Sequence, residues 1–234
     1  MSKNKKTEMK NKEINPKRLI HALSQIVECE KIQLKKKITL DDWIELKIAI
    51  SPVNNFITQK LTEAFINKLS SLFPGKIDST TINELLTEYK NINVNGNGYD
   101  FVLNKTGYPK IVAEVKANIP YEGTRFGGAQ KKGINKDING LLNGKTKGNI
   151  DNLSDYYKFQ IMLNYETDSY SSFDAIENFL RNKTNKGNLR LFKGGSVLKP
   201  DGKTWTTDEE SLNTSNVYVL LLKCESDPVV EENE

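Results

Sequence analysis

The sequence predicts an α/β (α+β) fold in which helices come first and then alternate with strands. Three observations carry that expectation. Apolar residues recur at three- and four-residue intervals over most of the first 90 residues, the period of an amphipathic helix. The segment 100–116 then alternates with a period of two on either side of a Gly/Pro turn, as a β-hairpin does. Finally, Val217-Tyr-Val-Leu-Leu-Leu222 is an unbroken apolar run of the kind a fully buried strand shows.

Taken in order, residues 1–15 are polar and lysine-rich and read as a disordered basic tail. Pro16 opens a helical pattern to about residue 37, with Leu19, Ile20, Leu23, Ile26, Val27 and Ile32 on one face. Thr39-Leu-Asp41 resembles an N-cap for a short helix over 42–50, which Ser51-Pro52 is expected to interrupt. A stronger helix follows over 53–73, its face made of Phe56, Ile57, Leu61, Ala64, Phe65, Leu69 and Leu72, with Pro74-Gly75 as its stop. A short helix or turn over 80–90 and an Asn/Gly-rich approach lead to the hairpin. Beyond it come a loop (119–128) and a helix over 129–142 with Ile134, Ile138, Leu141 and Leu142 inward and Lys131, Lys132 and Lys136 outward. A basic loop, Gly144-Lys-Thr-Lys-Gly148, precedes a strand over 156–165 and a helix over 173–181; residues 183–207 are rich in Gly, Lys and Asn. The expected organisation is a tail (1–15), an added N-terminal helical region (16–52), a core (53–225) and an acidic tail (226–234). There is no internal repeat, and Gly144-Lys145-Thr146 lacks the upstream glycine spacing of a phosphate-binding P-loop.

Composition excludes several chemistries. No apolar run approaches the roughly 20 residues that span a bilayer. The lysine-rich start has no following apolar segment, so a secretory signal is not expected and the cytoplasm, bacterial or phage-encoded, is the default. Cys29 and Cys224 are far apart and lack clustered histidine, which supports neither a disulfide framework nor a zinc knuckle. His21 is the only histidine, which argues against a Ser-His-Asp hydrolase, a histidine-ligated zinc enzyme and histidine-based nucleases. Hydrolysis by this chain would have to rest on carboxylates, lysine and a metal. Net charge is only +4, but 105–150 holds nine Lys/Arg against three Asp/Glu, whereas 227–234 holds four acids and no base. A polyanion is drawn to the first segment and repelled by the second.

The hairpin is the most informative stretch. Lys105 to Pro109 supply a five-residue turn, and Asn104 opposite Lys110 sets a register in which paired residue numbers sum to 214. Phe101, Leu103, Ile111, Ala113 and Val115 then share one apolar face, while Asp100, Val102, Val112, Glu114 and Lys116 share the other. Asp100 falls opposite Glu114, where paired Cβ atoms lie roughly 4.5–5.5 Å apart and like charges destabilise a hairpin. A cation between them would offset that repulsion. Acid-x-Lys triplets also occur at Glu8, Glu45, Glu88 and Asp201, so the triplet alone says little. What sets Glu114-Val115-Lys116 apart is the apolar strand it ends and the partner acid in the strand before.

Asp100 with Glu114-Val115-Lys116 resembles the core motif of the PD-(D/E)XK nuclease superfamily, which includes many type II restriction endonucleases and several repair nucleases. The amphipathic helix upstream resembles that fold's first core helix, and Glu63 sits where some members carry a further acid. Tyr99, not proline, precedes Asp100, and Ile134 stands where one branch has tyrosine four residues after the glutamine matched by Gln130. The resemblance covers about residues 53–165. It implies a restriction-endonuclease-like core, a central mixed β-sheet flanked by helices. It also implies Mg²⁺ held by Asp100, Glu114 and the Val115 carbonyl, with Lys116 orienting or deprotonating the attacking water. Arg125, Gln130, Lys131 and Asn135 are side-chain types that read base edges, and Lys132, Lys136, Lys145 and Lys147 are types that contact phosphates.

The expected function is therefore a Mg²⁺-dependent endonuclease acting on double-stranded DNA, most simply a type II restriction enzyme working as a homodimer. A DNA repair, junction-resolving or phage-defence nuclease of the same superfamily is the alternative. So is a non-catalytic DNA-binding module, or a basic protein that binds another protein through its N-terminal helical region.

Overall fold

The computed structural model describes residues 40–91, 98–121, 123–148, 150–181, 188–193, 196–198, 204–205 and 212–224. The helix expected over 16–37, His21, Cys29 and both tails lie outside them. Contacts divide the chain into two units, Met1–Ile57 and Thr58–Glu234. The first described helix, α1 (Leu40–Leu72), begins in the first unit, and its residues from Thr58 onward belong to the second. It runs unbroken through Ser51 and Pro52, where an interruption was expected. A proline removes one amide from the helical ladder, at a cost, without obliging the chain to leave the helix.

Within the second unit the elements alternate. After α1, Phe73 and Gly75 (φ +71°) turn the chain, with Ile77 N–H donating to Phe73 O at 3.2 Å. Asp78 then caps α2 (Ser79–Asn91): its Oδ1 accepts from the Thr81 N–H at 2.8 Å and the Thr81 hydroxyl at 2.7 Å. Strands β1 (Phe101–Leu103) and β2 (Ile111–Lys116) precede α3 (Gly128–Asn143), β3 (Tyr157–Leu163) and α4 (Ser172–Arg181). The chain closes with β4 (Leu189–Lys193), β5 (Ser196–Leu198), β6 (Thr204–Trp205) and β7 (Val217–Leu222).

The strands form one mixed sheet of seven, in the order β1-β2-β3-β7-β4-β5-β6. Its middle, β2-β3-β7-β4, is parallel, and β1, β5 and β6 add antiparallel edges. The hairpin register is as the sequence predicts: Phe101 pairs Ala113, Val102 pairs Val112 and Leu103 pairs Ile111. Strands β4, β5 and β6 were not foreseen within 183–207. Leu189 and Leu191 are the buried alternate positions of β4, a short period-two signal among many glycines and lysines.

Two helical layers bury the two faces. On one, Phe65 of α1 meets Phe101 edge-on at 5.6 Å and Phe159 at 5.1 Å, and Phe73 meets Tyr157 at 4.9 Å. On the other, Ile134, Ile138 and Leu141 of α3 and Ile176 and Leu180 of α4 pack with Val112, Met162, Val217 and Val219. Burial of the sheet on both faces explains why β2, β3 and β7 are nearly continuous apolar runs. Among the described residues, no helix is long and apolar enough to cross a membrane.

Phe65 is fully buried between two strands, so Phe65→Ala is expected to cost about 3–5 kcal/mol of stability. Urea unfolding followed by circular dichroism checks this, and a loss below about 1 kcal/mol would contradict the packing described.

Candidate functional site

The chemistry-bearing side chains gather on the sheet face covered by α3 and α4. One residue before the pair Phe101–Ala113, the hairpin register brings Asp100 beside Glu114, and Glu114 in turn pairs Gln160 of β3 and, through it, Val219 of β7. Glu114 is buried at 4% exposure and Gln160 is fully buried. Lys116, two residues on, falls on the same face by the period-two rule. From the covering helix, Asp137 reaches the same region, buried at 6% exposure among the apolar residues of α3.

Each acid already has a donor. Asp100 Oδ2 accepts the Val115 N–H at 2.7 Å. Glu114 is in direct contact with the ammonium of Lys145, which also donates to Gly98 O at 2.9 Å and lies 4.9 Å from the Tyr99 ring centre. Lys116 Nζ is 2.9 Å from Asp137 Oδ2, a close ion pair. The cluster thus holds three carboxylates and two ammonium groups.

Their electrostatics follow from burial. Glu114 is pushed up to about 7, first by desolvation and then by the neighbouring Asp100 charge, with the Lys145 contact pulling the other way. Desolvation also raises Asp100, against the Val115 N–H and the charges of Lys116 and Lys145. Burial works to lower Lys116, but its contact with Asp137 and the charges of Asp137, Asp100 and Glu114 outweigh it and hold the ammonium above the usual lysine value. Lys116 is therefore suited to carry positive charge beside the acids and poorly suited to act as a neutral base.

The other residues expected at the site fall out differently. Glu63 of α1 lies 3.4 Å from Lys60 and accepts from Gln59 at 3.1 Å. Its charge and that of Asp100 both act on buried Tyr89, whose phenol burial pushes up to about 12. Gln130 is committed to the start of α3: its Oε1 accepts the Gly127 N–H at 2.9 Å and its Nε2 donates to Ile119 O at 2.8 Å. Asn135 is half-buried, and its Oδ1 has no hydrogen-bond partner. Arg125, Lys131, Lys132, Lys136 and Lys147 are exposed. Lys145, expected among the phosphate contacts, instead sits on Glu114.

Sequence reasoning missed Asp137, Tyr99 and Gln160. Asp137 had a readable signal: it lies between Ile134, Ile138 and Leu141, so a carboxylate interrupts the apolar stripe of a helix. Lys158, also unforeseen, is buried at the other end of β3, where it donates to Tyr156 O at 3.1 Å and to Thr214 O. Desolvation lowers its pKa, and its bonds tie β3 to the approach to β7.

Among the described residues, no three His, Cys, Asp or Glu side chains converge closely enough to cage a metal unaided. Mg²⁺ does not require that, because it takes one or two carboxylates together with waters and phosphate oxygens. Asp100 and Glu114 supply two hard oxygen donors, and Gln160 Oε1, paired in register with Glu114, is a buried acceptor without a hydrogen-bond partner. The donor set fits a hard divalent cation.

The Glu114 shift gives a signed expectation. Its folded value of about 7 exceeds the ordinary 4.5, so the folded protein holds the proton more tightly. The contribution of Glu114 to stability therefore falls as pH rises from about 4.5 to about 7 and is level above that. Glu114→Gln removes this loss. In EDTA, the variant and the parent should unfold at similar urea concentrations near pH 4, with the variant more stable by on the order of 2–3 kcal/mol above pH 7. Curves that stay together across that range would contradict the burial argument.

Comparison with protein-family models, with curated proteins and with solved structures finds no match to this chain.

Proposed function

We propose that this chain is a Mg²⁺-dependent endonuclease of the PD-(D/E)XK kind, hydrolysing phosphodiester bonds in double-stranded DNA, with type II restriction as its role and a homodimer as its working form. The observation that supports this best is the juxtaposition of half-buried Asp100 with buried Glu114 beside Lys116, with Glu114 raised to about 7. Such an arrangement is costly to the fold and is characteristic of sites that handle charge.

In this reading Asp100, Glu114 and the Val115 carbonyl would hold the cation. Bound there, it would polarise the phosphorus centre and lower the pKa of a bound water. The Asp100 carboxylate is oriented by the Val115 N–H, so one of its oxygens is fixed before any substrate arrives. Lys116 carries positive charge toward the pentavalent transition state and orients the nucleophile. Asp137 holds Lys116 in place and keeps it protonated, so Lys116 orients the attacking water and does not deprotonate it. The exposed cations Arg125, Lys131, Lys132, Lys136 and Lys147 favour a polyanion nearby.

One observation favours a second reading. The pairs Lys145–Glu114 and Lys116–Asp137 neutralise two of the three acids internally, as a structural ion-pair network in a non-catalytic DNA-binding module would. Duplex binding without magnesium-dependent cutting would identify that case. Within the nuclease reading, discrete plasmid fragments indicate restriction, and cleavage of branched substrates alone indicates resolution or repair.

Asp100→Asn and Glu114→Gln should each lower Mg²⁺-dependent plasmid cleavage at least about a hundredfold, and Lys116→Met comparably, with duplex binding in EDTA largely retained. Cutting retained by both acid variants would contradict the assignment.

A further inference from the structure

Lys145 has more partners than the proposed chemistry uses. It lies in the loop after α3, and its ammonium binds the Glu114 carboxylate and the Gly98 carbonyl and rests against the Tyr99 ring. Glycines make room for it, for the Tyr99 ring and for the turn that carries it. A Cβ at Gly140 would lie 2.9 Å from the Lys145 stem, one at Gly148 would lie 2.8 Å from the Tyr99 ring, and one at Gly98 would lie 2.9 Å from the Lys147 carbonyl. The Tyr99 hydroxyl, donating to Gly140 O at 3.0 Å, fixes the ring on which the ammonium rests. A surface lysine caught by chance would not have such a cradle.

The backbone that delivers this ammonium is short and bounded by glycine. Gly144 leaves the helix at φ +86°, a conformation that costs glycine nothing, and Gly148 N–H closes the turn on Lys145 O at 2.9 Å. An ammonium in contact with Glu114 and a divalent cation at Glu114 need the same carboxylate, and two cations so close repel each other.

We propose that Lys145 is a built-in counter-cation at Glu114, which a divalent cation displaces, so that cation binding unlatches the 144–148 turn and frees the ammonium for an anionic substrate. The inference rests on the metal-dependent reading of the site and adds to it the group with which the metal competes. Without the cation, Lys145 offsets the repulsion between Asp100 and Glu114 and holds the Glu114 side chain in place. It is a positioning residue that acts through Glu114.

Lys145→Met tests this, since methionine keeps an unbranched stem against Gly140 and Tyr99 and removes the charge. Titration of Mn²⁺ into the full chain by calorimetry, without DNA, should give a dissociation constant about tenfold lower for Lys145→Met than for the parent. Equal or weaker binding by the variant overturns this inference and leaves the metal site standing. No Mn²⁺ binding by either protein overturns both. A second measurement needs only the parent: trypsin should cut after Lys145 several-fold faster in saturating Mn²⁺ than in EDTA, and equal rates would overturn the proposal.

Discussion

The arrangement of this protein turns on one electrostatic conflict: two carboxylates, half-buried Asp100 and buried Glu114, placed side by side by hairpin register. Either charge alone would be costly there, and both together more so. The fold manages them with local donors. Val115 N–H takes an oxygen of Asp100, Lys145 takes Glu114, and Lys116 brings a positive charge that Asp137 steadies from the covering helix. Glu114 nonetheless remains near neutrality in its proton affinity, at about 7. A structure that kept these groups for stability alone would do better with apolar residues of similar size.

The layers around the conflict explain its position. The aromatic face of the sheet, where Phe65 meets Phe101 and Phe159, packs behind the hairpin. All polar exceptions named on β2 and β3 lie on the opposite face. The even-numbered positions Glu114, Lys116, Lys158 and Gln160 share it because the parallel register aligns Glu114 with Gln160 and Val112 with Lys158. One side of the sheet carries the aromatic packing and the other carries the charged cluster.

Much of this was legible in the letters. The hairpin register, and with it the Asp100–Glu114 juxtaposition, follows from a five-residue turn and period-two alternation, both local properties. Helix α3 and strand β7 were likewise readable, because each buries a stripe or a run of apolar residues. What was not legible depends on distance in the chain. Lys145 reaches Glu114 across 31 residues, and Tyr99 reaches Gly140 across 41, so nothing in either local pattern announces the contact. Gln130 carried the opposite lesson: a residue type able to read bases is occupied with closing the start of its own helix. Pro52 shows that a strong breaker signal need not end a helix, and the glycine- and lysine-rich 183–207 stretch masked strands too short to announce themselves.

The most direct measurement is anomalous diffraction from crystals of the full chain soaked in Mn²⁺ at a wavelength where manganese scatters strongly. The expected result is a single strong peak within coordination distance of both the Asp100 and Glu114 carboxylates, with Lys145 drawn away from Glu114. A map with no peak at that pair, or with a peak only at surface carboxylates elsewhere, would contradict the central claim.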